Sequence, residues 1–383
     1  MFNQEELAIL ARQLSALDAS FSLLPDYEES EALAPMESVL SELSSRMADN
    51  YPYFHPFYLG QMLKPPHPMA RLAYSLCLYI NPNNHALDGG RATSAMEKEA
   101  VAEIANMFGW REHLGHLTGG GTFANLEALW IAKMLRPGTS VAASELAHYT
   151  HERISRVLDM EFEKIPCDAS GRMDVLELET RLQRGNIGTV VVTLGTTAAG
   201  TLDPLDAILA LKRKYRFRVH VDAAYGGYFT LCEGLSAASR GALEAMAQAD
   251  SIVVDPHKHG MQPYGCGCVL FNDPGVGIHY KHDSPYTYFQ FGRAAFRGDQ
   301  SGMLPGRRIG RRALGHSKAA AFSGGRGVCR CASMFQGCRH VTVPVVRGRG
   351  RLRDGYGACA GYCSVVGARR HCPGQFSLIT KGV

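Results

Sequence analysis

The sequence predicts an α/β fold in which a mostly parallel sheet is sandwiched by helices. Between residues 115 and 271, short apolar runs of strand length alternate with stretches of helical periodicity. This alternation is typical of parallel sheets that are covered on both faces. At 383 residues, 46% of them hydrophobic, the chain is long enough to bury one large core. Strands are predicted at residues 141–144, 189–194, 217–221, 251–255 and 268–271.

The predicted helices precede these strands or connect them. In each, apolar residues recur every three or four positions, which places them on one face of a helix. Functional groups of a parallel sheet gather where its strands end at their carboxyl edge. The polar residues that follow each strand are therefore the first candidates for a site. Helices are predicted at residues 95–108, 122–135, 148–158, 203–215 and 239–248.

The first 80 residues are predicted to form a helical segment and a pocket loop. Asn3 and Glu6 have the spacing of a capping box, and leucines follow them at helical spacing. A second apolar series begins at Leu33. Residues 51–68 are rich in proline and aromatic residues, and proline at this density excludes a continuous helix or a central strand. This segment is predicted to be an ordered loop whose aromatic rings could wall a pocket.

The sequence points to a cytoplasmic protein. No stretch approaches the roughly eighteen apolar residues of a membrane span, and the start lacks the pattern of a secretory signal. The eleven cysteines are therefore expected to be free thiols. Cys266 and Cys268 are interpreted as core residues rather than metal ligands, because no second pair accompanies them. Four further histidines are interpreted as structural or surface residues: His113, His116, His151 and His259.

A glycine-rich turn at residues 118–125 (TGGGTFAN) leads directly into a predicted helix. Free backbone N–H groups and the helix dipole at such a position favour a phosphate. Gly120, Gly121 and Thr122 are thus candidate phosphate ligands. An ordinary helix-entry turn explains the same pattern about equally well, and the turn is not a P-loop because no Gly-Lys-Ser/Thr follows.

Two charged residues follow predicted strands. Asp222 ends a strand and is followed by small residues, which suits a flat ligand that approaches closely; a strand-to-loop turn capped by Asp222 is the alternative. Lys258 lies just after another apolar strand. Such a lysine is usually a solvated strand end, but a desolvated one can form a Schiff base with an aldehyde.

Together these features match the requirements of pyridoxal 5'-phosphate (PLP). The phosphate needs a helix N-terminus, the aldehyde a lysine, and the ring nitrogen a carboxylate that keeps it protonated. A flat partner and a small residue must enclose the ring. His148 and the hydroxyl-rich segment 193–204 also follow predicted strands. The sequence therefore predicts a PLP enzyme.

At this point the sequence resembles a known family. Residues 51–290 are similar to the group II PLP-dependent decarboxylases, which act on aromatic amino acids, glutamate or diaminobutyrate. The resemblance rests on the stretches HPFYLGQMLKPPHP, LTGGGTFANLEAL, SELAHYT, TLGTTAAGTLDP, HVDAAYGGYF and DPHKHG. It implies the PLP fold type I, with a large domain at residues 81–290.

The resemblance also implies a role for each candidate residue. Lys258 would form the Schiff base, and Asp222 would pair with the ring nitrogen. One face of the ring would stack on His148 and the other would pack on Ala224. Further roles are phosphate binding by the backbone at Gly120, Gly121 and Thr122, with His257 nearby; support of Asp222 or the ring by Thr197; and a substrate pocket lined by Phe57 and Tyr58.

The implied reaction is decarboxylation of an L-amino acid, and the aromatic segment slightly favours an aromatic substrate. Tyr286 is the candidate acid that protonates Cα, with Tyr280 and Tyr288 as competitors and an ordinary loop aromatic as the plain alternative. Family members are homodimers, so a homodimer is expected. The alternatives are another fold type I reaction, such as transamination or C–S cleavage, and a truncated inactive homologue.

The last part of the chain differs sharply from the rest. Residues 1–292 carry 23 Lys/Arg and 34 Asp/Glu, whereas residues 293–383 carry 17 and 2. The resemblance stops after Phe289, although the family continues with a C-terminal small domain. An arginine-rich arm that binds nucleic acid would explain the charge, but a nucleic-acid partner and a membrane are not expected.

We hypothesise a frameshift near residues 289–296. If the stretch from Phe296 is encoded by plausible codons, a shift of one nucleotide yields Leu-Gly-Glu-Ile-Ser-Leu-Glu-Cys-Ser-Arg, which resembles the family's continuation. Residues 291–383 are then expected to be an out-of-frame, poorly ordered tail. Sequencing the coding DNA tests this, because codons incompatible with the shifted sequence would exclude it.

Overall fold

The computed structural model describes residues 3–25, 33–55, 57–58, 62–84 and 90–281. Tyr286, Tyr288 and the basic tail lie outside the described residues. The helices are α1 (Gln4–Ala19), α2 (Leu33–Met47), α3 (Pro68–Ile80), α4 (Arg91–Met107), α5 (Gly121–Leu135), α6 (Thr150–Val157), α7 (Val175–Leu182), α8 (Leu205–Tyr215) and α9 (Ala237–Glu244). The strands are β1 (Leu114–Thr118), β2 (Ser140–Ser144), β3 (Phe162–Ile165), β4 (Ile187–Thr193), β5 (Arg218–Asp222), β6 (Ser251–Val254) and β7 (Gly267–Phe271).

The seven strands form one mixed sheet in the order β1-β7-β6-β5-β4-β2-β3. Every pairing from β6 to β3 is parallel, and β7 runs antiparallel to both of its neighbours. The prediction of a mostly parallel α/β sheet is confirmed. All five predicted strands and all five predicted helices are present, within a few residues at each end. The interior strand β4 is buried along its whole length.

Four elements were not predicted from the sequence: β1, β3, α3 and α7. The strand β3 is short and lies at the edge of the sheet, so its pattern is weakly apolar. In β1, a Cβ on Gly115 would lie 2.5 Å from the Leu270 side chain and 2.8 Å from the Val269 carbonyl oxygen. Gly115 interrupts the apolar alternation by which a strand is recognised in the sequence, but β1 needs a glycine at this position to approach β7.

The N-terminal helix forms as its capping residues predict. The Asn3 side chain accepts a hydrogen bond from the Glu6 backbone N–H at 2.8 Å, and the Glu6 carboxylate accepts one from Asn3 at 3.1 Å. Glu6 also pairs with Arg71 of α3 at 3.3 Å. Because α1 is otherwise largely exposed, this pair is one of the contacts that tie it to α3.

The five described cysteines are free thiols, as expected, and Cys268 is fully buried in the core. Within the described ranges, no helix is both long and apolar enough to cross a membrane.

The loop after β5 depends on a close backbone approach at Gly226. A Cβ at this position would lie 2.0 Å from the Leu194 carbonyl oxygen. We therefore expect Gly226→Ala to lower the free energy of unfolding in urea by about 1–3 kcal/mol, as overpacking does. Gly241→Ala in α9 is the matched control, because its Cβ would have no heavy atom within 4 Å. That control is expected to gain up to about 1 kcal/mol from helix propensity, and equal effects of the two variants would contradict the prediction.

Candidate active site

The candidate residues converge at the carboxyl edge of the sheet. Asp222 is the last residue of β5, Lys258 lies in the loop that follows β6, and His148 lies between β2 and α6. The strands β2, β4, β5 and β6 are parallel neighbours, so their ends meet on one side. The N-terminus of α5 is joined to this region because the Asn125 side chain hydrogen-bonds to Asp222.

Asp222 is a buried carboxylate with three hydrogen-bond donors. Its Oδ2 accepts hydrogen bonds from His151 Nε2 at 2.8 Å and from Asn125 Nδ2 at 3.3 Å. Its Oδ1 accepts one from the Ala224 backbone N–H at 3.1 Å. Burial alone would raise the pKa of Asp222. The hydrogen bond from His151 and the nearby charges outweigh it and lower the pKa below its usual range, so the side chain is held ionised.

Lys258 faces a second buried carboxylate. Its Nζ lies 3.0 Å from Asp255 Oδ2, and both residues belong to the same loop after β6. The Lys258 side chain is 19% exposed and that of Asp255 only 3%. Burial raises the pKa of Asp255, while Lys258 and His257 act in the opposite direction. The lysine is therefore held at a mostly enclosed position, as a Schiff-base lysine requires.

His148 is half-buried near both charged residues. Its Nδ1 lies 2.8 Å from Thr150 Oγ1, which anchors the ring at the start of α6. Burial lowers the pKa of His148; Asp222 raises it, and Lys258 lowers it further. This electrostatic influence is consistent with the position of all three side chains at the carboxyl edge of the sheet. A neutral imidazole at this position could stack on a flat ring.

The turn before α5 has the features of an anion site. Gly120 has φ of +140°, and α5 has no side-chain cap. Within the described part of the chain, no hydrogen bond engages the backbone N–H groups of Gly121 or Thr122. His257 lies close, because a Cβ on Gly120 would be 3.7 Å from its Cε1. Residues 120–122 and His257 are thus brought together as predicted, and phosphate binding there remains a prediction.

For three predicted residues, the described structure shows no hydrogen bond or ring contact with this cluster. Thr197 is exposed, and the hydrogen bonds to Asp222 come from other residues, so its role stays a prediction. Phe57 is 87% exposed. Tyr58 packs on Tyr51 and Tyr53 with ring centroids 5.9 and 5.0 Å apart. Their place in the substrate pocket also stays a prediction.

Sequence reasoning missed four residues of the site. His151, interpreted as a structural or surface residue, is fully buried and pairs with Asp222. The sequence offered one signal for this role: His151 follows His148 by three positions, near the start of a helix that follows a strand, so the two side chains could face the same site. Asn125 and His220 form a buried chain behind Asp222, and Asp255 pairs with Lys258. Each lies within a few residues of a motif but was not assigned a partner.

The arrangement fits PLP. Asp222 Oδ2 accepts two hydrogen bonds and Oδ1 accepts one, which leaves Oδ1 an acceptor direction for a protonated ring nitrogen. The uncapped α5 N-terminus offers N–H groups to a phosphate, and Lys258 supplies the amine. A fold type I sheet with this site defines a PLP-dependent enzyme.

Comparisons with known proteins agree with the assignment to the PLP-dependent enzymes. A model of the pyridoxal-dependent decarboxylase conserved domain matches residues 130–280. A probable L-tyrosine/L-aspartate decarboxylase of Methanoculleus marisnigri is 30% identical over 67% of this chain and 68% of its own. Another, from Methanosphaerula palustris, is 27% identical over 82% and 81%. The chain belongs to the pyridoxal-dependent decarboxylase family, and its cofactor is PLP.

The fold has close parallels among solved structures. Oryza sativa TDC with PLP and tryptamine superimposes with a TM-score of 0.60, at 20% sequence identity, over 78% of this chain and 70% of that one. At this level of identity the match concerns the fold. It supports the assignment of the seven-stranded sheet to PLP fold type I.

Proposed function

We propose that this protein decarboxylates an L-amino acid with PLP at the carboxyl edge of its sheet, and that the amino acid is aromatic. The observation that carries the proposal is that the buried, ionised Asp222 and the enclosed Lys258 lie at the same edge of the sheet, where the charge of Lys258 lowers the pKa of Asp222. This pair matches the two ends of the PLP ring, its nitrogen and its aldehyde. The family to which the chain belongs performs this class of reaction.

Each residue of the site has a defined task. When bound, PLP supplies a conjugated ring that accepts the electrons left behind by departing CO2. Lys258 holds the cofactor through its ε-amino group, and Asp222 keeps a proton on the ring nitrogen. His148 and Ala224 enclose the ring from its two sides. Gly121 and Thr122 bind the phosphate through backbone N–H groups, which orients the ring for the cleaved bond.

The preference for an aromatic substrate rests on the segment that precedes α3. Tyr51, Tyr53 and Tyr58 form an aromatic cluster. The end of the same segment is hydrogen-bonded to the loop that carries Lys258, because the His67 backbone N–H donates to the Met261 carbonyl at 2.8 Å. We propose that these rings line the substrate pocket, where they would favour an aromatic side chain through stacking and burial. The relatives named as tyrosine/aspartate decarboxylases make aspartate the main competitor.

A homodimer and a cytoplasmic location complete the proposal. Helix α2 exposes Val39, Leu40, Leu43 and Met47, and an apolar surface of this kind favours a protein contact. A second copy of the chain is the partner that we propose, with the active site close to the interface. Light scattering coupled to size exclusion would measure the mass, and a monomer with full activity would contradict this part.

We expect purified protein to take up PLP, absorb visible light and release CO2 from tyrosine or Dopa faster than from aspartate, glutamate or 2,4-diaminobutyrate. The measurement is CO2 release for each amino acid at equal concentration, with amine product quantified in parallel. Formation of the 2-oxo acid of the substrate without CO2 release would indicate transamination. A protein that remains colourless with added PLP would refute the proposed function, and faster release from aspartate would refute the substrate class.

A further inference from the structure

We propose that His151 is a positioning residue for the cofactor, which orients the Asp222 carboxylate as the partner of the ring nitrogen. The inference rests on the proposed function and deepens it. His151 does not reach the cofactor itself; it acts through Asp222. None of the family motifs quoted above assigns it this task.

The contact between the two side chains is short and enclosed. His151 Nε2 lies 2.8 Å from Asp222 Oδ2, and the His151 side chain is 0% exposed. A carboxylate only accepts hydrogen bonds, so His151 must donate from Nε2. Its other ring nitrogen, Nδ1, is buried without a hydrogen-bond partner in the described residues. A buried nitrogen without a partner costs stability. The position of the ring therefore favours its hydrogen bond to Asp222 over a hydrogen bond for Nδ1.

A second chain of donors reaches the same oxygen. His220 Nδ1 lies 2.9 Å from Ser251 Oγ, and His220 Nε2 lies 2.8 Å from Asn125 Oδ1. Burial lowers the pKa of His220 to about 3, so its ring is neutral and donates from one nitrogen. With the serine hydroxyl donating to Nδ1, His220 donates to the amide oxygen of Asn125. The amide N–H of Asn125 then points at Asp222 Oδ2.

These two donors determine which oxygen of Asp222 can accept a hydrogen bond from the ring nitrogen. Among the described residues, His151 and Asn125 donate to Oδ2, whereas Oδ1 accepts only the Ala224 backbone N–H. The carboxylate is thus fixed in rotation, with the free acceptor direction on Oδ1. The titratable groups that interact electrostatically with Asp222 include His151 and Lys258, together with His148, His220 and Asp255. Of the donors to Oδ2, His151 makes the shorter hydrogen bond.

The test compares substitutions that differ in reach. In His151→Gln the amide nitrogen can take the place of Nε2, whereas in His151→Asn it is one methylene too short. His151→Leu removes the donor and keeps the volume apolar. His279→Leu, in the 3-10 helix Pro274–Tyr280, is the control, because it does not hydrogen-bond to Asp222. Three quantities are measured: the PLP dissociation constant, the ¹⁵N shift of the bound ring nitrogen in labelled PLP, and the melting temperature of the cofactor-free protein.

We expect His151→Leu and His151→Asn to weaken PLP binding about tenfold, the effect of losing a hydrogen bond to a charged group, and to move the ¹⁵N shift toward the unprotonated ring. His151→Gln should stay within about threefold of wild type. The inference is overturned if Asn and Gln variants behave alike, or if only the melting temperature changes. Failure of wild type to bind PLP would refute the proposed function instead, so the two failures are distinguishable.

Discussion

Replacing Lys258 with alanine is expected to abolish the visible absorption band of the bound cofactor and to lower decarboxylation by about 10⁴-fold or more, as loss of a covalent catalytic group does. We propose that Lys258 supplies the amine that holds the PLP aldehyde. In the described structure it pairs with Asp255, and its charge lowers the pKa of Asp222. Without that amine, PLP would be held by its phosphate and ring contacts alone.

The measurement combines absorption spectra after dialysis with CO2 release under saturating PLP. Lys214→Ala is the matched control, because Lys214 is exposed on α8 and pairs with Glu179 at 2.7 Å. That control should keep its colour and its rate. If Lys258→Ala retained a reducible link between protein and cofactor, another lysine would carry the cofactor and the assignment would be wrong.

Replacing Asp222 with asparagine is expected to lower kcat/KM by about 10²–10³-fold, the scale on which removal of one preorganised electrostatic group acts. The neutral amide cannot hold a proton on the ring nitrogen by charge. It also presents an N–H group in place of one carboxylate oxygen. On the Oδ2 side both His151 and Asn125 would lose their acceptor, and on the Oδ1 side the Ala224 N–H would lose its acceptor. Both effects reduce the ability of the ring to accept electrons.

The matched control for this substitution is Asp206→Asn, an exposed carboxylate in the first turn of α8. It should leave kcat/KM unchanged within about threefold, since it is remote from the ring-nitrogen partner. Asp222→Asn activity within the same range would show that the ring nitrogen needs no carboxylate here. Because the pKa of Asp222 lies below its usual range, wild-type activity should show no titration of this group near neutral pH.

Much of the fold follows from local patterns in the sequence. Strands β2, β4, β5, β6 and β7 are apolar runs of strand length, and the hydrogen-bonding needs of the backbone leave such runs few alternatives to a buried sheet. Asp222 and Lys258 stand out because each ends or follows one of these runs. The carboxyl-edge rule for parallel strands then places them together, without any knowledge of strand order.

The partners of these residues depend on the tertiary structure. His151 and Asp222 are 71 positions apart, and Asn125 and Asp222 are 97 apart. They meet because β4 lies between β2 and β5 in the sheet and because α5 contacts β5 and α6. Strand order and helix packing are set by side-chain fit across the whole core, which no local pattern in the sequence specifies.

The sequence by itself therefore determined the α/β class and the cofactor, and it singled out Asp222 and Lys258 as the candidate partners of the PLP ring. The tertiary structure decided the state of those residues: Asp222 is ionised and fixed in rotation by His151 and Asn125, and Lys258 is enclosed beside Asp255. The reason is physical. Residue type and local periodicity indicate what a side chain can do, but its charge and orientation depend on burial and on donors from distant parts of the chain.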